Sequence, residues 1–360
     1  AFAVHLACGA GAQALEFVRP SDDGKTFVGV ETGRRIQLWG VNYDRDGKGQ
    51  LIEDYWHEEW PRVVEDFGEI KALGVNSVRV HLQLGRFMQR ADEPNRQNLA
   101  QLARLIELAE KHELYLIITG LGCYHKADVP AWYDSLPERE RWQVQAAFWK
   151  AVAGVCRDRR AVFSYNLMNE PLLPGEKPAT EWLGRPLGDK HYVQRIALDL
   201  DGRSREEVAK AWIETLAVAI REVDERHMIT LGVIPWAHYF PKAKPLFYSP
   251  EVGGPLDYVS VHFYPKHGKI EQALDALRVY ELGKPLVIEE IFPLHCGAEE
   301  LLEFIEASKP QADGWISFYW GETIEELKGR GDIGSALTAA WLEKFKANAP
   351  RHALTDAAAR

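Results

Sequence analysis

The sequence predicts a (β/α)8 TIM barrel, because eight short β-rich runs alternate with segments of helical spacing. Those runs are also apolar almost throughout rather than at every second position, which is how strands buried on both faces look. Strands separated by helices pair in parallel, and eight in a row point to closure. The runner-up is an open doubly wound sheet, and no Gly-x-Gly-x-x-Gly opens a helix after the first strand to favour it.

In chain order, "LEFVRP" (15–20), "TFVGVE" (26–31) and "RRIQLWG" (34–40) read as a short hairpin closing the barrel bottom and leading into the first strand. The strands fall at 36–42, 75–82, 114–121, 161–169, 227–234, 257–264, 284–290 and 314–320. Between the second and third, Leu99, Leu102, Leu105, Ile106 and Ala109 recur at three and four, an amphipathic helix. "EEVAKAWIETLAVAIREV" (206–223) repeats that pattern before the fifth strand. The connection at 237–254 holds several helix breakers and reads as a loop with one helical turn. The segment 171–202 is long and rich in Pro and Gly, and long loops on a rigid barrel usually carry function. "PERERW" (137–142) and "REVDERH" (221–227) read as solvated helix faces.

A single barrel domain spans 15–348, with a tail at 349–360. Residues 1–14 are small and apolar, either the remnant of an export signal or an expression-derived chain end, with Cys8 faintly like a lipoprotein anchor. With 43 basic and 53 acidic residues, the net charge of −10 counts against a nucleic-acid or anionic-membrane partner. No run reaches the roughly 18 to 20 apolar residues of a membrane helix. Cys123, Cys156 and Cys296 are widely spaced, with no Cys-x-x-Cys, and imply buried free thiols.

Polar residues gather where the strands end. Arg79 and His81 close strand two, Asn169 and Glu170 strand four, His262 and Tyr264 strand six, Glu289 and Glu290 strand seven, and Trp320 strand eight. A carboxylate at the tip of an apolar strand costs free energy unless something there uses it. In a closed barrel these ends converge, so Glu170 would face a strand-seven Glu across the mouth, the arrangement that glycosidic cleavage needs. Side chains alternate along a strand, so only one of Glu289 and Glu290 faces the mouth, and the other is an outward, hydrogen-bonded carboxylate. Arg79 could instead pair with a core acid, and His81 reads equally well as packing. Trp182, Trp236 and Tyr192 serve either as sugar platforms or as loop packing.

"NLMNEP", "GKPLVIEE", "SVRVHL", "VSVHFYP" and "ISFYW" together resemble glycoside hydrolase family 5 and its clan of retaining barrel glycosidases, from about Leu38 to Trp320. The resemblance implies Glu170 as acid/base, Glu290 as the inward-facing nucleophile with Glu289 outward, and Asn169 as partner of the substrate 2-hydroxyl. It also implies Arg79 supporting the nucleophile, Tyr264 beside it, His262 near the acid/base, and Trp320 as the floor for the sugar. Where many members place a His at the end of strand three, this chain has Thr119 and Leu121, leaving His125 as a substitute. Ile291 and Phe292 follow the nucleophile, where an aromatic and a Gly are common.

The activity expected is retaining hydrolysis of a β-linked glycan, an endo-β-1,4-glucanase first, with a β-mannanase or an exo-acting β-glycosidase as alternatives. A metal-dependent barrel hydrolase through His81, His125 and His262 lacks the His-x-His or His-Glu-x-x-His spacing. No metal or organic cofactor is expected. The partner is an oligo- or polysaccharide, met by a monomer outside the cytoplasm, secreted or periplasmic.

Overall fold

Strands without a polar face cannot border water, and here each is covered on both sides. The computed structural model describes residues 15–43 and 50–353; the expected leader with Cys8, and residues 354–360, lie outside them. Eight strands close into one barrel in chain order: Leu38–Tyr43, Ser77–Gln83, Tyr115–Gly122, Val162–Asn169, Met228–Val233, Val259–His262, Leu286–Ile291 and Gly314–Trp320. Every pairing is parallel, including the closing one between strands eight and one.

Helices pack around this cylinder. Arg96–Lys111 starts at Asn95, whose side chain accepts from the Gln97 and Asn98 amides. Arg205–Arg221 starts at Ser204, where Ser204 and Glu207 cap each other reciprocally. Between strands five and six two short turns form, Trp236–Tyr239 and Leu246–Tyr248, one more than the single helical turn expected in that loop. The last helix, Ile333–Ala353, continues past residue 348.

At the barrel's N-terminal end the expected hairpin gains a third strand: Val18–Pro20, Phe27–Gly29 and Arg35–Ile36 form one antiparallel sheet. Its Phe27 is fully buried, edge-on to Phe163 at 5.0 Å and to Tyr258 at 5.3 Å. That plug leaves the C-terminal end as the open face. Arg141, in the segment expected to be solvated, is instead buried, its guanidinium stacked between Tyr133 at 3.8 Å and Trp182 at 4.4 Å. Cys123 and Cys156 are buried free thiols and Cys296 is half-buried. Among the described residues, no helix is long and apolar enough to cross a membrane.

Candidate active site

The fourth strand ends by turning left-handed. Glu170 has a φ of 46°, uncommon for a residue with a side chain, while its amide donates to the Gly232 carbonyl at 3.0 Å. Such a conformation costs about 1–3 kcal/mol and persists where surrounding contacts impose it. Here it sends the carboxylate across the mouth to His262, whose Nδ1 lies 2.9 Å from Glu170 Oε1 and 3.4 Å from Glu290 Oε1. One oxygen of each Glu and the His262 nitrogen all lie within 4.8 Å of one another.

Arg79, fully buried, organises the floor. Its Nη1 donates to Glu290 Oε1 at 2.7 Å and to Asn42 Oδ1 at 3.0 Å, and its Nη2 donates to Asn169 Oδ1 at 2.8 Å. The Nε donates to Thr119 Oγ1 at 2.9 Å, which gives the strand-three threonine its place in the site. Asn169 in turn donates to the Tyr192 carbonyl at 2.9 Å, so one amide N–H stays available for a ligand. The Tyr264 hydroxyl donates to Glu290 Oε2 at 2.7 Å.

Electrostatics follow from these contacts. Burial opposes ionisation of Glu290, but His262, Arg79 and the Tyr264 hydrogen bond outweigh it and hold the carboxyl below its usual range. Burial and the neighbouring Glu290 charge push the Tyr264 phenol well above its ordinary value, so it stays a donor. Burial, then the positive fields of Arg79, His262 and Lys190, drive His81 far below the usual imidazole value. Its Nδ1 pairs with the Tyr124 hydroxyl at 2.7 Å, and the two rings stack.

Three expectations need correction. Glu289 does not point outward: it is fully buried inside the barrel, accepting from Asn166 Nδ2 at 2.6 Å and Tyr258 Oη at 2.7 Å, with Arg79 Nε 3.2 Å away. Strict alternation fails because strand seven shifts register against both neighbours, between Val261 and His262 and between Ile288 and Ile291. A bulge of this kind lets successive residues share a face. Trp320 is buried in the core beside Tyr43, with 1% of its surface exposed, and the strand-eight ring on the cleft is Phe318. A register shift between Ser317 and Trp320 again lies behind the change. His125 faces Asp189 at 3.9 Å, and its neighbour Tyr124 is the residue from that loop that reaches the floor.

Segment 171–202 forms a strap across part of the mouth. Its His191 amide donates to the Tyr124 carbonyl at 2.7 Å, and Gln194 Nε2 donates to the Leu121 carbonyl at 3.0 Å. Tyr192 meets Tyr124 on one side and Phe318 on the other, at ring distances of 6.0 and 6.4 Å. Of the three aromatic candidates, Trp182 packs on Arg141, Tyr192 lines the cleft, and Trp236 is 40% exposed beyond Pro171.

Glu170, His262 and Glu290 form the one cluster among the described residues that could hold a metal ion. A cation there would compete with the Arg79 guanidinium, already 2.7 Å from Glu290, which makes the group a poor metal site. What the arrangement does offer is a carboxylate kept ionised, a second carboxyl facing it at close range, and a buried donor network beneath both.

A family model described as Cellulase (glycosyl hydrolase family 5) matches residues 31–321. No curated protein matches the sequence significantly. Among solved structures, the chain is similar to exo-β-1,4-mannosidase Op5Man5 from Opitutaceae bacterium strain TAV5, with a TM-score of 0.67 and 16% identity, covering 92% of this chain and 62% of that one. It is also similar to the β-1,4-D-mannanase of Cryptopygus antarcticus (TM-score 0.62, 16% identity, 93% and 94% covered). The β-mannanase of the blue mussel Mytilus edulis shares the fold as well (TM-score 0.61, 17% identity, 93% and 97% covered).

Proposed function

The chain belongs to the cellulase family, glycosyl hydrolase family 5, and we propose that it releases a terminal β-linked sugar by double displacement, with Glu290 as nucleophile and Glu170 as acid/base. The observation that carries this reading is the separation of the two carboxyls. One oxygen of each lies within 4.8 Å of the other, near the roughly 5–5.5 Å of retaining enzymes and short of the roughly 6.5–9.5 Å that inversion needs for an intervening water.

In the first step a Glu290 oxygen bonds to the anomeric carbon while the bond from that carbon to the leaving oxygen breaks. Glu170 gives its proton to that oxygen. In the second step Glu170, now a carboxylate, takes a proton from water as the water oxygen bonds to the same carbon and Glu290 leaves. One water is consumed and configuration is retained. Arg79 and Tyr264 hold Glu290 ionised and aimed, and His262 holds Glu170. The remaining Asn169 N–H faces the sugar's 2-hydroxyl.

The strap supports an exo-acting enzyme over the endo-β-1,4-glucanase expected from the sequence. An endo enzyme needs a groove open at both ends. Beneath Tyr192, between Tyr43, His81 and Phe318, only about 10 Å³ remains, roughly the room of a single water. For the sugar itself, mannosides stand beside glucosides, since three of the solved structures similar in fold are named as two β-mannanases and an exo-β-1,4-mannosidase.

The test is inactivation by 2-deoxy-2-fluoromannosyl and 2-deoxy-2-fluoroglucosyl fluoride, with the labelled peptide sequenced by mass spectrometry. A glycosyl adduct on Glu290 is expected with at least one of them. An adduct on Glu289, or none with either, overturns the assignment.

A further inference from the structure

We propose that the group this site expels is an apolar, chain-like aglycone rather than a second sugar, an inference that rests on the glycosidase reading above. A cavity of about 330 Å³ opens between Glu170 and Glu290. Its polar groups are unevenly placed. Asn169, Glu170, Tyr264 and Glu290 belong to the floor, tied together by the Arg79 and His262 contacts. The walls are Leu187, Tyr192 and Val193 from the strap, Phe292 and Leu294 from the chain after strand seven, and Phe318 from strand eight. Arg185 is the charged side chain on those walls, and it is exposed.

A sugar ring carries a hydroxyl on most of its carbons, and each one gives up hydrogen bonds to water on entering a cavity. The floor returns them for one ring. A second ring would lie against Leu187, Val193 and Leu294, which offer neither donors nor acceptors, so its hydroxyls would stay unpaired. Leu187, Val193 and Leu294 also lack the flat face on which a sugar's C–H surface packs, which leaves Tyr192, Phe292 and Phe318 as the rings on these walls. An alkyl chain meets neither objection and buries the same walls from water.

The rim points the same way. Leu187 is 74% exposed and Leu294 58%, two leucines from different loops bordering one cavity beside a catalytic centre. Adjoining exposed apolar side chains of this kind mark a place where something apolar docks. The competing platform lies past Pro171, where Trp236 and Phe240 line a separate cavity of about 420 Å³ and would suit a sugar.

The experiment compares kcat/KM for n-alkyl β-mannosides and β-glucosides, methyl to dodecyl, with mannobiose and cellobiose. Expected is a rise of up to about fourfold for each methylene that enters the cavity, until the chain outgrows it, with octyl glycosides exceeding the disaccharides by at least about tenfold. The Leu187→Asp, Leu294→Asp double variant changes two exposed positions and should flatten that chain-length dependence far more than it slows labelling of Glu290. The fluorosugar label carries no aglycone, so it separates two kinds of failure. Labelling of Glu290 with no dependence on chain length overturns this inference alone, as does a disaccharide preference abolished by Trp236→Ala. No label and no turnover on any glycoside overturns it together with the glycosidase reading.

Discussion

In the proposed mechanism, Glu170 is the side chain whose removal separates proton transfer from everything else the site does. With Glu170→Ala, a substrate whose leaving oxygen needs a proton should slow by about 10²–10⁴-fold, whereas a dinitrophenyl glycoside, which leaves unaided, should form its adduct almost as before. Equal losses on both, read from kcat/KM, would remove Glu170 from acid catalysis. Tyr264 tests the other partner. In the proposed mechanism Glu290 must be ionised to attack, and its carboxyl is held low, so activity should be present above that value and fade as pH falls through it. The Tyr264 hydroxyl contributes to that lowering, so Tyr264→Phe raises the carboxyl and moves the acid limb of the pH–kcat/KM profile upward. A charge-assisted hydrogen bond worth about 1.5 kcal/mol corresponds to a shift of about one unit; an unmoved or lowered limb contradicts the assignment. At this scale the polar contacts were legible in sequence, because Arg79, Asn169, Glu170, His262, Tyr264 and Glu290 stand at the ends of apolar runs. The orientations of Glu289, Phe318 and Trp320 were not, since each depends on a register shift that residue types do not announce.

Strand five contributes to the site by what it lacks. A Cβ on Gly232 would stand 2.7 Å from His262 Nε2, 2.9 Å from Asn166 Nδ2 and 3.2 Å from Arg79 Nη2. All three side chains are buried and held by other hydrogen bonds, so a methyl group there must displace His262 or push the strand outward. Gly232→Ala should therefore lower kcat by about 10²-fold with the far-ultraviolet spectrum unchanged, because a misplacement near 1 Å costs that much at a catalytic group. Wild-type kcat in the variant would show that His262 does not depend on the space left by Gly232. The strap is an element of the opposite kind. Its Pro and Gly content marked it as a loop, but its path between the ends of strands three and eight comes from contacts with Leu121, Tyr124 and Phe318, residues distant in sequence. Trp182 shows the same limit: what fixes it as packing is Arg141, on a helix before strand four. Long-range partners of this sort leave no periodic signature in a single chain.

The molecule as a whole divides its two ends between stability and chemistry. Eight near-continuous apolar runs can all be buried only by closure, which is why the barrel and its order were readable from periodicity. Arg35–Ile36, two residues long, merges in sequence with the run entering the first barrel strand and does not stand out as a third strand of the N-terminal sheet. That sheet seals the end where the strands begin. Phe27 enters between Phe163 and Tyr258, and around it Ile117, Met228 and Val287 form a cluster separate from the main core. The hydroxyl of Tyr258 also donates to Glu289 at 2.7 Å, and Glu289 lies 3.2 Å from Arg79 Nε, so a chain of buried contacts links the plug to the floor of the site. If that chain only fills space, Phe27→Ala should cost about 3–5 kcal/mol of stability, seen as a lower denaturant midpoint, and leave kcat of the folded enzyme unchanged. Burial of Tyr258 favours this outcome, because a phenol held among aromatic rings on one side and hydrogen-bonded to Ser164 and Glu289 on the other has little room to follow the missing ring. A fall in kcat at temperatures where the variant is fully folded would instead mean that Glu289 and Arg79 move with Tyr258, and that the seal at the base of the barrel sets the position of the nucleophile at its mouth.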